Sequence, residues 1–396
     1  MRDPLARLNL SVFLLSMTIY SPVLVLFYTG RGLTLFQVLS LEALNSAVIM
    51  LAEAPAGVLG DRIGLKRTVF LGHFLQAVWL VVLMFSHDYW MFLAGYAFLG
   101  LAISLRSGST EAWVYELLKR RGEERHMTRA QGSLWASQLA GRITSALLAV
   151  AVVRAMSDSW FVLALGLSAG SFVISSLIAL TISGVPVSAE ARQRGSLGLV
   201  RDGLNLIRRN RSFRRIVLAS VFTDPFPYAL LFLYQPYFQA SDTPLALYGI
   251  AAAAGAGVGA LSAKWVHVLE ARVGAASAFR IVALTPLLMY LAMAVTFHAF
   301  AAALLYVLCF GLMQARYPLI ASMRNIHISS HNRATAISLI SMLEGGWALI
   351  WKLIVGRLAD VGLSYAFVLL ATLPFVGLIV FRVSRGDIIP ERSLEP

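Results

Sequence analysis

Long apolar stretches separated by short charged segments run through the whole chain. Because about 20 apolar residues of α-helix cross the hydrocarbon core of a bilayer, each long stretch predicts one membrane-spanning helix. The pattern therefore predicts an all-α membrane protein with twelve transmembrane helices, and an even number places both termini on one side of the bilayer. The predicted spans are residues 8–28, 35–58, 68–86, 90–117, 132–153, 160–184, 215–239, 246–267, 277–297, 299–322, 334–356 and 364–382.

The composition supports this interpretation. Hydrophobic residues make up 58% of the 396 residues, charged residues make up 13%, and the mean hydropathy is +0.74. Soluble domains contain about 25% charged residues. The composition therefore excludes an ordinary soluble domain.

The basic residues indicate how the chain is oriented. With the N-terminus in the cytoplasm, 26 of the 33 Lys and Arg residues fall on cytoplasmic segments, and only Arg31, Arg154 and Arg357 fall on outer ones. Positive charge collects on cytoplasmic loops, so both termini are expected in the cytoplasm and the protein in the inner or plasma membrane. The same asymmetry explains the net charge of +13, so no nucleic-acid partner is expected.

The longest hydrophilic interruption divides the chain into halves. Residues 185–214 are rich in arginine and separate six predicted spans from six more. We therefore expect an N-terminal half over residues 1–184, a basic cytoplasmic linker over residues 185–214, and a C-terminal half over residues 215–396 with a short cytoplasmic tail.

Few residues suggest catalysis, a metal or a cofactor. Cys309 is the single cysteine, so no disulfide framework and no cysteine-based metal site is expected. His327 and His331 stand four positions apart, but a solvated loop explains them more simply than a metal site. No Ser/His/acid constellation is evident, so we expect neither an enzyme nor a cofactor.

A charged, glycine-punctuated turn follows the second predicted span, at residues 57–67. It is similar to the Gly-x-Leu-Ala-Asp-Arg-x-Gly-Arg-Lys pattern of the major facilitator superfamily, with Gly60 in place of alanine and Leu65 in place of the first basic residue. The residues that form the predicted gating motif are Gly57, Asp61, Arg62, Gly64, Lys66 and Arg67.

The resemblance implies the twelve-span fold of that superfamily, built from two six-helix halves. It also implies that the motif, through Asp61, latches the two halves on the cytoplasmic side; a solvated turn is the alternative. The equivalent loop of the second half, residues 264–274, keeps only charge and one glycine. A related Gly-x-x-x-Asp pattern occurs at Gly356 and Asp360.

Ionisable side chains inside a span are costly, so they are the default candidates for a substrate cavity. In the seventh span, Pro225, Pro227 and Pro236 predict a bent helix of the kind that lines cavities. Aromatic side chains in spans are also explained by packing. The predicted cavity residues are Arg142, Asp224, Tyr228, Gln235, Arg316, Glu344, Gln138 and Lys352.

Buried carboxylates are candidates for carrying a coupling proton. Glu111, Glu344, Glu53 and Asp224 are the predicted coupling residues. Salt bridges that lock neighbouring helices are the alternative role for Glu53 and Glu111. The cations Arg106, Arg142, Arg316 and Lys352 favour an anionic or zwitterionic substrate, unless acidic side chains neutralise them internally.

These patterns predict a secondary transporter that moves a small organic solute by alternating access, coupled to protons, with export favoured by the family resemblance. The expected partners are the solute, protons and the lipid bilayer, and we expect a monomer. Three alternatives stay open: proton-coupled uptake of an organic anion, a lipid-handling flippase, and a non-transporting membrane sensor on the same fold.

Overall fold

The computed structural model describes residues 3–123, 126–183, 210–223, 225–326, 333–381 and 383–387, and these residues are helical apart from short connections. The helices of the first half are α1 (Pro4–Leu15), α2 (Leu24–Gly30), α3 (Leu35–Ile63), α4 (Leu65–Phe85), α5 (Tyr89–Arg106), α6 (Ser109–Lys119), α7 (Met127–Val152) and α8 (Asp158–Thr181). Those of the second half are α9 (Arg211–Thr223), α10 (Pro225–Ala240), α11 (Leu245–Val273), α12 (Ala275–Val295), α13 (Ala299–Met313), α14 (Arg316–Ile326), α15 (Arg333–Val361) and α16 (Leu363–Phe381). Single 3-10 turns cover Ser21–Val23 and Arg385–Asp387.

Helices lie over all the apolar stretches that the hydropathy pattern marked. In the described part of the chain, ten helical segments are long and apolar enough to cross a membrane. Pro4–Leu15 and Ser21–Gly30 are shorter apolar helices, and α15 is not among the ten. The membrane-protein prediction is therefore supported, while the full count of twelve spans stays a prediction.

Local sequence explains where the helices begin. The hydroxyl of Thr34 accepts a bond from the amide of Gln37 at 3.2 Å, and the Gln37 side chain accepts the amide of Thr34 at 2.9 Å. This reciprocal capping box starts α3. Asp88 starts α5 in a related way, because its carboxylate accepts the amides of Trp90 and Met91.

The first predicted span, 8–28, is not one continuous helix. α1 ends at Leu15, and the 3-10 turn that leads into α2 begins only at Ser21. Backbone groups freed inside a membrane need partners, and α8 supplies them: Ser168 accepts the amide of Ile19 at 2.9 Å, while Ser171 donates to the carbonyl of Leu14 at 3.0 Å. Two serines therefore stabilise the interruption.

The fourth and tenth predicted spans are also interrupted. Ser107 and Gly108 separate α5 from α6, and Gln314 and Ala315 separate α13 from α14. Gly108 has φ +34°, in a region that residues other than glycine rarely adopt. Both interruptions fall at the corresponding place in their half, which indicates an internal repeat.

The described chain folds into two compact units. The first contains the described residues up to 183 together with Tyr248–Ala253, and the second contains the other described residues. Most of the predicted linker, residues 185–214, lies outside the described residues, so the predicted boundaries stay a prediction.

The internal repeat is clearest at one pair of helices in each half. α3 and α4 are 29 and 21 residues long and are joined by Gly64 alone. α11 and α12 have the same lengths and are joined by Gly274 alone, 210 positions further along the chain. Gly64 has φ +88° and ψ 148°, and Gly274 has φ +81° and ψ 154°. The same corner is therefore built twice.

The apolar cores follow the repeat. In the first unit, Leu8 of α1 packs with Val69 of α4, Trp113 of α6 and Ala179 of α8. In the second unit, α9, α12 and α14 pack together in the same way through a cluster of buried side chains. These are Ile216, Ala219, Phe279, Ala283, Ile320 and Met323.

Candidate functional site

Two polar clusters, one in each unit, contain or adjoin several of the predicted site residues. The cluster of the second unit is built around Arg316, the first residue of α14. Its Nε donates to Oγ1 of Thr223 at 3.0 Å, and its Nη2 donates to the carbonyl of Ser220 at 2.5 Å. Both acceptors belong to the last turn of α9, which precedes Pro225 and Pro227 and their missing backbone donors. Arg316 is 3% exposed, and its guanidinium joins α14 to this turn.

A second arginine of α14 joins the same turn to α15. The guanidinium of Arg324 donates to the hydroxyl of Ser220, with Nε at 3.1 Å, and its Nη2 donates to Oε1 of Glu344. The Arg324 and Glu344 side chains are 18% and 25% exposed. Glu344, predicted from sequence as a cavity and coupling residue, is therefore held in an ion pair.

Ser220 connects these interactions. Its carbonyl accepts from Arg316 and its hydroxyl accepts from Arg324, while that hydroxyl donates to the carbonyl of Val217 at 2.7 Å. Phe222 stacks on Trp347 of α15 with ring centroids 4.6 Å apart, which adds an apolar contact beside the polar one. α9, α14 and α15 thus converge on a single turn.

Other predicted cavity residues of the second unit differ in exposure. Gln235 and Lys352 are buried, with 1% and 7% of their surface exposed. The ammonium of Lys352 lies 5.8 Å from the ring centroid of Trp351. Tyr228 is 45% exposed. Asp224, predicted both for the cavity and for coupling, lies outside the described residues.

The polar cluster of the first unit contains Glu42, which hydrogen-bonds with Tyr96. The hydroxyls of Tyr96 and Tyr28 are 2.9 Å apart, and both rings are buried. The charges of Glu42 and Arg142 both act on Tyr20, which lies beside the interruption of the first span. Arg142 of α7 is exposed, so this predicted cavity residue lies on an accessible face near the cluster.

The position of Arg142 depends on the close packing of the preceding residue, Gly141. Gly141 packs so closely on α1 that an added Cβ would lie 2.5 Å from the carbonyl oxygen of Phe13 and 2.8 Å from Cβ of Ser16. Only glycine permits this approach. Gln138, one turn earlier on α7, is half-buried.

The coupling candidates Glu53 and Glu111 are exposed. Neither carboxylate forms an ion pair with a described side chain within 4.0 Å, so the alternative role as a helix-locking salt bridge finds no support within the described ranges. Their part in coupling stays a prediction.

The predicted gating motif is mostly helical. α3 continues to Ile63 and α4 begins at Leu65, so the turn expected over residues 57–67 is reduced to Gly64. The amide of Gly64 donates to the carbonyl of Gly60 at 2.9 Å, and its own carbonyl accepts from the hydroxyl of Thr68 at 3.0 Å. One glycine with positive φ therefore ends one helix and starts the next.

The other motif residues lie on the two helices. Gly57, Arg62 and Arg67 are exposed and Lys66 is half-buried. The side chain of Asp61 lies outside the described part of the structure, so its role as a latch stays a prediction. A Cβ on Gly60 would meet Ser109 of α6 and Thr68 at 3.5 Å, an ordinary contact that fits the alanine of the family pattern.

Sequence reasoning did not identify several residues that shape these clusters. The hydropathy pattern places Arg324 in a loop, because the predicted tenth span ends at residue 322. Ser220 and Gly141 carry no charge, and only their spatial neighbours reveal their importance. Gly274 looks like the remnant of a lost motif, yet it keeps the backbone conformation of Gly64.

Among the described residues, no three His, Cys, Asp or Glu side chains lie close enough together to bind a metal ion. His327 and His331 lie outside the described residues.

Comparison with solved structures shows the same architecture in several transporters. A nucleoside transporter, NupG, is 14% identical with a TM-score of 0.79, covering 96% of this chain and 98% of its own. A POT family transporter in complex with 5-aminolevulinic acid is 15% identical with a TM-score of 0.75, covering 97% and 96%. A bacterial homologue of the human lysosomal transporter Spinster, inward-facing and occupied, is 12% identical with a TM-score of 0.70, covering 98% of both chains. Identities this low establish the fold alone.

A search of curated proteins found no significant match. The sequence model of the Major Facilitator Superfamily, however, matches residues 8–351, which is most of the chain. Together with the all-helical architecture and the resemblance at residues 57–67, this match shows that the chain belongs to the major facilitator superfamily.

Proposed function

We propose that this protein is a secondary active transporter that moves a small organic solute by alternating access, coupled to protons, with export as the favoured direction. Membership of the superfamily supports transport in general. Proton coupling rests on one observation, the ion pair between Glu344 and Arg324 beside Ser220.

The ion pair suits coupling because its strength depends on one proton. The ionised Glu344 accepts a charge-assisted bond from Arg324. Protonation removes the negative charge, and Arg324 then keeps only its bonds to Ser220. The contact between α14 and α15 therefore weakens when a proton arrives. A ligand-dependent change of this kind shifts the population of two conformations.

The experiment uses purified protein in proteoliposomes with a pH dye inside. A thermal-shift screen with uridine, dialanine and succinate at two pH values first selects the solute, because binding to the folded state raises Tm. An imposed pH gradient should then drive that solute across the membrane. Glu344→Gln should abolish gradient-driven movement and keep solute exchange, since glutamine retains the shape and loses the titratable proton.

Glu123→Gln, outside the predicted spans, is the matched control and should transport like the wild type. Gradient-driven movement that survives in Glu344→Gln overturns the coupling role of this residue. Failure of all three solutes to bind or to move overturns the proposed function. The direction is tested by comparing solute movement under gradients of opposite sign.

A further inference from the structure

Arg106 and Arg316 each lie beside the interruption of a span and stand 210 positions apart, like the two corner glycines. Arg106 ends α5, before its interruption, whereas Arg316 begins α14, after its interruption. Their surroundings differ. Arg316 has acceptors at Thr223 and Ser220. Nε of Arg106 is buried with no hydrogen-bond partner in the described structure.

Arg106 also lacks a counter-charge. Among the described side chains, no carboxylate lies within 4.0 Å of its guanidinium. The positive charge of Arg142 also acts on it. An unpaired cation inside a span is costly, so its presence points to a missing anion.

A second unpartnered atom lies beside Arg106, on His73 of α4. Gly72 lets the two helices touch, because a Cβ there would lie 3.0 Å from the carbonyl of Ala102 and 3.2 Å from Cβ of Arg106. The charge of Arg106 acts on the imidazole of His73, which is 1% exposed. Nε2 of His73 has no partner in the described structure.

The serines around His73 define the role of that nitrogen. The hydroxyl of Ser175 donates to the carbonyl of Ser11 at 2.6 Å, and the hydroxyl of Ser11 donates to the carbonyl of Ser175 at 2.9 Å. Because each hydroxyl hydrogen is already used, both serine oxygens can only accept from Nδ1–H of His73. Oγ of Ser175 lies 3.0 Å from Nδ1, and Oγ of Ser11 lies 3.4 Å from it. Nε2 then carries the lone pair and lacks a donor.

We propose that His73 and Arg106 form a binding site for the acidic group of a solute, a phosphate monoester that carries one proton and one negative charge. The O–H of this group donates to Nε2 of His73, and another of its oxygens accepts Nε–H of Arg106. This inference rests on the proposed function, because it assigns the chemical class of the transported solute.

The charge of Arg106 distinguishes an acid from other occupants. A water molecule or a neutral hydroxyl provides one donor and one acceptor and satisfies both atoms. Neither neutralises the guanidinium. A singly protonated phosphate does, through charge-assisted bonds that are stronger than neutral ones, and it keeps an O–H for Nε2 of His73. A carboxylate has the charge without the O–H, and a neutral carboxylic acid has the O–H without the charge. The site therefore favours a singly protonated phosphate over carboxylates, water and neutral solutes.

The test is isothermal titration of the purified protein with succinate, inorganic phosphate, chloride and uridine. Phosphate should bind more tightly than succinate, and Arg106→Gln should weaken phosphate binding about tenfold or more, the usual effect of losing one charged hydrogen bond. His73→Phe, which removes the lone pair and keeps a ring, should weaken it as well. Arg154→Gln is the control, because Arg154 is exposed and lies over the ring of Trp160.

Arg106→Lys is the second variant if Arg106→Gln does not fold, since it keeps the charge and loses Nε; it should also bind more weakly. Binding that is unchanged in the variants overturns the proposal. Binding of uridine, chloride or succinate in place of phosphate also overturns the proposal. The absence of any binding overturns it as well, because water alone then occupies the site.

This result is separable from the test of the proposed function, because equilibrium binding needs no gradient. Proton-driven movement of a neutral solute without binding of phosphate refutes the site and leaves the function standing. Binding of phosphate without gradient-driven movement refutes coupling and leaves the site standing.

Discussion

Nη2 of Arg324 donates a hydrogen bond to Oε1 of Glu344 and so joins α14 to α15. Both side chains are partly exposed, at 18% and 25%. We therefore expect the interaction energy of this pair to be only slightly larger than that of a surface ion pair. A double-mutant cycle with Arg324→Gln and Glu344→Gln should give a coupling energy of about 1 kcal/mol when unfolding is followed in detergent.

The control for this cycle combines Glu344→Gln with Arg272→Gln at the end of α11. Arg272 is exposed and makes no ion pair with Glu344. The two changes should add, because residues without contact act independently. Additivity in the Arg324 cycle as well would show that the pair contributes nothing to stability.

Gly64→Ala should destabilise the protein by about 1–3 kcal/mol, the cost of holding an L-residue in a rare backbone conformation. The cause is the φ of +88° at the corner between α3 and α4. Crowding does not contribute, because an added Cβ would meet no other atom within 4 Å. Gly57→Ala is the matched control, because Gly57 is helical and equally uncrowded. Thermal unfolding should show a lower Tm for Gly64→Ala and an unchanged or higher Tm for Gly57→Ala.

Gly141→Ala should destabilise the first unit through crowding rather than through backbone strain. Its Cβ would lie 2.5 Å from the carbonyl oxygen of Phe13, so α7 and α1 have to move apart, at a cost of about 1–3 kcal/mol. Gly132→Ala on the same helix meets nothing within 4 Å and should be tolerated. Equal melting temperatures for the two variants would contradict the close contact.

Asp387, outside the spanning helices, makes stability depend on acid pH. Burial opposes ionisation of its carboxyl group, but bonds from Ser384 and Ser212 and the charge of Arg215 outweigh burial and lower the pKa below the ordinary 3.8. A lowered folded-state pKa stabilises the protein above the unfolded value, and this contribution is lost as pH falls through the folded pKa.

Asp387→Asn should therefore lower Tm at neutral pH, and the difference from the wild type should shrink below about pH 4. Melting curves over this pH range provide the measurement. Asp242→Asn is the control: Asp242 is exposed in the turn before α11, and its replacement should change Tm only slightly over the same pH range. If the Tm difference between Asp387→Asn and the wild type stays constant down to acid pH, the lowered pKa of Asp387 is refuted.

The apolar pattern predicted where helices lie, because the cost of burying polar groups in a bilayer acts on composition over about 20 residues. The same averaging concealed the interruption near Ile19. Its stabilising partners, Ser168 and Ser171, lie on α8, about 150 residues further along the chain, and nothing in the local sequence marks them.

The site was predictable only as far as charge inside a span marks it. Arg316 and Glu344 were found in this way. Arg324 was missed, although it stands on the same short helix as Arg316, because the hydropathy window placed it in a loop. Ser220 was missed because a neutral residue gains importance only from its neighbours in space: its carbonyl accepts a hydrogen bond from Arg316, and its hydroxyl accepts one from Arg324.

The corners at Gly64 and Gly274 have a mechanical consequence. Each leaves a single residue outside helical geometry between a helix of 29 residues and one of 21. Because only one residue lies outside helical geometry, any change of angle between the two helices has to come from the φ and ψ torsions of that glycine. The angle at each corner is therefore set by two torsions of a single residue.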